Sequence, residues 1–287
     1  MKILRVIGHM DPVFGGPCQG VRNSIPELEQ LGHHNEVVCL DAPDAGFLGQ
    51  DPFPIHALGP CRGSWGYAPT LIPWLIDNLP RFDAVIVHGL WLYQGYAVRK
   101  ALVRLKAHLK LPCCYVMPHG MLDPYFQRDP SRRLKALRNW IYWKLIERKV
   151  VNGADGVLFT CEEELQLARE PFRLYRPKRE VNIGYGVVAP PTYAAAMKTA
   201  FVEKCPDLRD KPYLLFLSRI HPKKGVNFLI RAYADLVQQL AASSVSTSHF
   251  SLPIGNFPSL VIAGPLDSAF AREMQALAKE LLPASLK

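Results

Sequence analysis

The sequence predicts an α/β protein built on parallel sheets, and three observations lead there. An apolar strand from Lys2 to Gly8, a helix with Val21, Ile25 and Leu28 on one face, and a strand from Glu36 to Leu40 form a βαβ unit, whose crossover implies parallel strands. Far downstream, Pro212 to Ala234 reads as strand, loop and helix, with Val226, Leu229, Ile230, Tyr233 and Val237 at helical spacing. The 287 residues, 49% apolar and 21% charged, suffice for two ordinary soluble domains.

Taken in order, the first strand and helix are joined by HMDPVFGGPCQG. Its paired glycines, Gly15 and Gly16, let backbone N–H groups approach a ligand closely, or serve only the turn. GxGxxG is missing there, which argues against a dinucleotide dehydrogenase. Gly32 ends the helix. Residues 41–81 are rich in proline and glycine and predict loops around one short helix, Leu71 to Leu79, interrupted by Pro73.

Ala84 to Val87 is a buried strand ending at His88-Gly89, followed by a helix from Gly95 to about His108. The next strand, Pro112 to Val116, runs into MPHGMLDP and delivers His119 and Gly120. A histidine at a strand end is ordinarily a packing residue, the preferred reading for His88; for His119 packing and a cleft role stand level.

Ser131 to Asn152 predicts a long helix carrying seven cations opposed only by Glu147. A core-packed helix with a solvated outer face is the preferred reading, and contact with an anionic membrane the alternative. After the strand Gly156 to Phe159, Thr160 with Glu163 reads as a capping box, which assigns the glutamates of TCEEEL to the helix rather than to a carboxylate site. A strand from Glu180 to Ile183 and the punctuation GYGVVAPP set the domain boundary, giving domains 1–187 and 188–287.

The second domain opens with an alanine-rich helix, Tyr193 to Cys205. In the following strand–loop–helix, RIHPKKG places Arg219 and Lys224 around Pro222, and Gly225 opens a helix whose N-terminal N–H groups favour an anion. A diphosphate suits that loop, and so does plain solvation. AASSVSTSHFSLPIGNFPS predicts a long surface loop before a strand, Leu260 to Ala263, and a helix, Ala269 to Leu282, whose Glu273 and Glu280 face solvent.

No apolar run reaches membrane-span length, and Arg5 stands too early for a signal peptide, so the cytoplasm is the expected address. Seven cysteines without a CxxC pair fit reduced core thiols and no metal site. A net charge of +9 suggests an anionic partner, with nucleic acid disfavoured for want of a binding motif.

In this order and spacing, the N-terminal MKILRVIGHMDPVFGGPCQGV with LGHHNEVVCL, then MPHGMLDP, VLFTCEEE, LFLSRIHPKKGVNFLIRAY and LVIAGP resemble the family-four retaining glycosyltransferases. The resemblance implies the GT-B fold, two Rossmann-like domains facing across a cleft, and metal-independent transfer of a sugar from a nucleotide-sugar donor to a glycan or lipid-linked acceptor in cell-surface polysaccharide or glycolipid assembly. It assigns Arg219 and Lys224 to the donor diphosphate, Gly15 and Gly16 to the loop backing the donor, and His119 to the neighbourhood of the transferred sugar. The expected address stays the cytoplasm, with peripheral contact at the inner face of the membrane as the alternative that the basic helix Ser131 to Asn152 offers.

The family continues beyond the position matching Lys287, through a paired-glutamate motif, so the second domain is expected to be incomplete. A fragment, a split enzyme completed by another chain, and a degraded gene product are the three explanations. The rival readings of function are a non-catalytic glycan- or partner-binding remnant and, last, an epimerase acting on a nucleotide sugar.

Overall fold

The structure, a computed structural model, describes residues 1–106, 111–243 and 258–282. The chain divides into two units, Met1–Ala189 and Pro190–Lys287.

The first unit is a seven-stranded parallel sheet. Its strands are β1 (Lys2–Val6), β2 (His34–Cys39), β3 (Ile55–Ala57), β4 (Ala84–His88), β5 (Cys113–Met117), β6 (Gly156–Phe159) and β7 (Glu180–Asn182). They lie in the order β3-β2-β1-β4-β5-β6-β7. Helix α1 (Gly16–Gln30) follows β1, α2 (Leu71–Asn78) precedes β4, and α3 (Tyr93–Leu105) follows it.

Central strands read as largely apolar runs because both faces are covered, Arg5 of β1 being a buried charge within them. Cys18, Val21 and Ile25 of α1 pack on Ile7, Val37 and Cys39, while Leu71, Leu75, Ala97, Val98 and Ala101 of α2 and α3 pack on Leu4, Val6, Val85 and Val87. Adjacent residues of a strand point to opposite faces, so the two clusters sandwich the sheet.

Three local expectations need correction. Residues 41–81 contain a strand, β3, beyond the expected loops and short helix; three half-buried residues at a sheet edge leave too little pattern to read. Pro73 does not break α2, because it lies in the first turn, where its missing N–H has no intrahelical acceptor. The long basic helix is composite. After a short α4 (Tyr125–Arg128), α5 (Arg133–Tyr142) passes through a π-helical turn (Trp143–Glu147) into α6 (Arg148–Gly153). Glu147, expected to oppose the cations, is buried instead, its Oε1 accepting from Trp91 N at 2.9 Å. Its Oε2 has no partner among the described residues, and burial raises its pKa to about 7.

The capping box shifts by one residue. In α7 (Glu162–Leu167) the N-cap is Cys161, whose Sγ accepts from Glu164 N at 3.4 Å, and the reaching carboxylate is that of Glu164. Of the cysteines expected as core thiols only Cys18 and Cys39 are buried; Cys113 and Cys161 are exposed.

The second unit comprises α8 (Ala195–Lys204), β8 (Tyr213–Leu217), a 3-10 turn (Pro222–Lys224), α9 (Val226–Ser243), β9 (Ser259–Ala263) and α10 (Ala269–Leu281). β8 and β9 pair in parallel. Ile220, Val226 and Ile230 pack against Ala271 and Met274 of α10, whereas Tyr213, Leu214, Leu215 and Leu217 of β8 are exposed. Residues 244–257, most of the expected surface loop, and the expected end of the α3 helix at 107–108 lie outside the described residues. Among the described residues no helix is long and apolar enough to cross a membrane.

Candidate functional site

In an open parallel sheet ligands bind beyond the carboxyl ends of the strands, and the candidate residues of the first unit collect there. β4 ends on His88, and the exit of β5 carries His119. His88 Nδ1 lies 2.9 Å from His119 Nε2, with the rings stacked at 23°. His88 is buried, and its carbonyl accepts from Gln94 Nε2.

Both imidazoles are held neutral. Burial, then the neighbouring His119 and Arg5, push His88 well below the usual histidine range. Burial lowers His119 to about 4 against an upward pull from Glu164, with Arg5 adding to the fall. His88 Nε2 has no partner among the described residues, so the tautomers that leave no buried N–H unpaired put both protons on Nδ1. His88 then donates to His119, and His119 keeps an Nδ1–H with no partner among the described residues.

His119 has φ = +53° and Gly120 φ = +76°. A non-glycine residue in that region is strained by about 1–3 kcal/mol and must be held there. Glu164 does the holding from the next strand's exit. Its Oε1 accepts Gly120 N at 2.5 Å, and its Oε2 accepts the amide and hydroxyl of Thr160 at 2.8 and 2.6 Å.

His119 lines two cavities. One, of about 610 Å³, has Gly16, Pro17, Cys161 and Glu163 in its wall. The other, of about 560 Å³, contains Arg5, His88 and the segment Ile183–Ala189. Tyr185 borders both; its hydroxyl donates to Gly16 O at 2.5 Å. A Cβ added at Gly20, one turn further along α1, would overlap that hydroxyl.

Gly15 takes φ = +79°, ψ = −132°, a region open to glycine, and so lets the chain turn from the 3-10 segment Pro12–Phe14 directly into α1. Of the two predicted glycines only Gly16 lines the cavity with His119. Arg219 and Lys224 lie in the second unit, Arg219 ahead of the Pro222–Lys224 turn and Lys224 as its last residue. Both are exposed, and neither head group has a hydrogen-bond or ion-pair partner among the described residues. Gly225, at φ = +69°, turns the chain into α9.

Several participants escaped the sequence reading. Arg5 is buried in β1, its Nε bonded to Asn35 Oδ1 at 3.2 Å, and burial lowers its pKa to about 10. A charge inside an apolar strand was the signal. Asp41, beyond β2, takes His9 Nδ1 at 2.8 Å and Met10 N at 2.7 Å, and His9 stacks on Phe14 at 4.1 Å. The partners of His88, Glu164 and Tyr185 join segments distant in sequence and leave no local pattern.

A family model described as a glycosyl transferase 4-like domain matches residues 15–186. The chain belongs to this glycosyl transferase 4-like family. The match takes in Gly15, Gly16, His88, His119, Glu164 and Tyr185 of the transferase domain, and Arg219 and Lys224 lie beyond it. No curated protein matches the sequence. Among solved structures, a glycosyltransferase from Rickettsia africae is similar at 16% identity and a TM-score of 0.57, over 98% of this chain and 65% of that one. HepE from Anabaena, solved in complex with UDP and glucose, is similar at 16% identity and 0.59, over 98% and 66%. At this identity the likeness establishes the GT-B-like α/β fold class, and the chain spans just under two thirds of the length of either relative.

Proposed function

We propose that this glycosyl transferase 4-like chain acts in moving a sugar from a nucleotide-sugar donor to a glycan or lipid-linked acceptor, with retention at the anomeric carbon. The observation that carries the reading is His119, strained at positive φ, held by His88 and Glu164, and presenting an unpartnered Nδ1–H beside the cavity that Gly16 lines. A neutral imidazole N–H suits hydrogen bonding to a sugar hydroxyl. The shared fold with HepE, whose structure holds UDP and glucose, supports a nucleotide-sugar donor.

Arg219 and Lys224 take the donor diphosphate. Negative charge grows on the leaving diphosphate as the glycosidic bond breaks, so fixed cations and the first N–H groups of α9 stabilise the transition state more than the ground state. A guanidinium grips phosphate oxygens in bidentate fashion, while the ammonium acts as a point charge.

Calorimetric titration with UDP and GDP tests the assignment. Arg219→Ala and Lys224→Ala are each expected to weaken diphosphate binding by about 1.5–3 kcal/mol. Unchanged affinity in both variants overturns it. Turnover of a nucleotide sugar to an acceptor glycoside supports transfer; release of an epimerised donor points to an epimerase instead.

A further inference from the structure

The composite helix 133–153 turns an apolar stripe outward. Asn139, Trp143, Glu147 and Val150 form its buried side. On the other side Leu134, Leu137, Ile141 and Leu145 are 84, 54, 43 and 65% exposed, and Trp140 beside them is 48% exposed. Spacings of three and four residues put these leucines and the isoleucine in one line, ~17 Å long at 1.5 Å per residue. Four large apolar side chains in a row on an exposed helix mark a contact surface, because a solvated face has no reason to carry them.

The flanks decide what it contacts. Arg133 and Lys144 border the stripe on one side, Arg138 and Lys149 on the other, and all four are exposed. No carboxylate of the helix balances them, since Glu147 is buried. Lys144 Nζ stands 3.7 Å from the centre of the Trp140 ring, so the indole and ammonium form one amphipathic unit of the kind enriched where hydrocarbon meets water. A second copy of this face would bring like charges together. A surface with an apolar interior and an anionic outer layer satisfies stripe and flanks at once.

We infer that helix 133–153 seats the first unit on an anionic lipid surface, lying in its plane with the Leu134–Leu145 stripe among the acyl chains and the four cations at the headgroups. This inference rests on the exposed face alone and is independent of the proposed transfer reaction.

Vesicle co-sedimentation of the full chain tests it, using phosphatidylcholine alone against phosphatidylcholine with about 30% phosphatidylglycerol. The expected result is retention on the anionic vesicles only, declining between about 50 and about 500 mM salt. Leu134→Ser with Leu145→Ser, and separately Arg133→Glu with Lys144→Glu, are each expected to weaken retention at least about tenfold, reflecting burial of apolar area and charge attraction. These side chains are exposed, so far-ultraviolet circular dichroism should stay unchanged, and the two pairs give independent readings. Tryptophan emission should shift to the blue on anionic vesicles, with the shift reduced in Trp140→Phe. Failure of the unsubstituted chain to bind anionic vesicles overturns the inference, as does undiminished binding by both double variants. A concentration-dependent dimer lost in the leucine variant, without vesicle binding, reassigns the face to self-association and also overturns it.

Discussion

His88 Nδ1 and His119 Nε2, 31 residues apart in the chain, meet at 2.9 Å across the ends of two adjacent parallel strands. The pair fixes which nitrogen of His119 carries its proton. His88 is therefore a positioning residue for His119. If they act as a unit, His88→Ala and His119→Ala should each lower donor turnover at least about tenfold, and the double variant should be little worse than either, the non-additivity expected of coupled groups. Additive losses in a double-mutant cycle count against the pair.

The same pair makes stability depend on pH. Both histidines have folded-state values below the unfolded one, so in mild acid the unfolded chain takes up more protons than the folded chain. Stability contributed by neutral His119 is complete above about pH 6.5 and is lost as pH falls through about 4, and His88 acts in the same direction. For His119 the loss is about 3 kcal/mol, from about 1.4 kcal/mol per pKa unit. Urea unfolding at several pH values should show this slope, flattened in His119→Gln.

Glu147 acts in the opposite sense. Its folded value of about 7 exceeds that of an ordinary carboxyl, so the unfolded chain ionises first and stability is lost as pH rises from about 4.5 through 7. Glu147→Gln keeps an acceptor for Trp91 N and removes the ionisation. At pH 8 it should be the more stable protein by up to about 3 kcal/mol, and at pH 4 close to the unsubstituted one. Denaturant midpoints at the two pH values provide the check.

Cys161 caps α7 and lines the cavity that holds His119. Cys113, the other exposed thiol, opens β5 at the opposite end of that strand. A bulky maleimide should therefore abolish donor turnover in the unsubstituted protein and leave Cys161→Ser active, although Cys113 is labelled in both. Equal inactivation of the two proteins places the sensitive thiol elsewhere.

The sheet was legible because its central strands are buried on both sides and read as apolar blocks. β3 was not, for an edge strand of three half-buried residues carries neither block nor alternation. The cleft residues were legible only where punctuation accompanied them, as at His119-Gly120. The roles of Glu147 and Glu164 depend on partners 56 and 44 residues away, and adjacent charges in the sequence suggested wrong ones: a counter-ion for the cations and a cap starting at Thr160. The outward stripe of helix 133–153 was ambiguous, because an amphipathic pattern names an apolar face without saying which side the core takes.

Gly20 and Tyr185 form a pair whose effect reaches past this molecule. Glycine inside a helix such as α1 costs about 1 kcal/mol relative to alanine, yet any larger residue at 20 displaces the Tyr185 hydroxyl from Gly16. The two positions are thus tied in evolution: descendants of this gene that acquire a side chain at 20 should have lost the tyrosine at 185. A divergence at both sites marks a lineage whose cavity wall has been rebuilt.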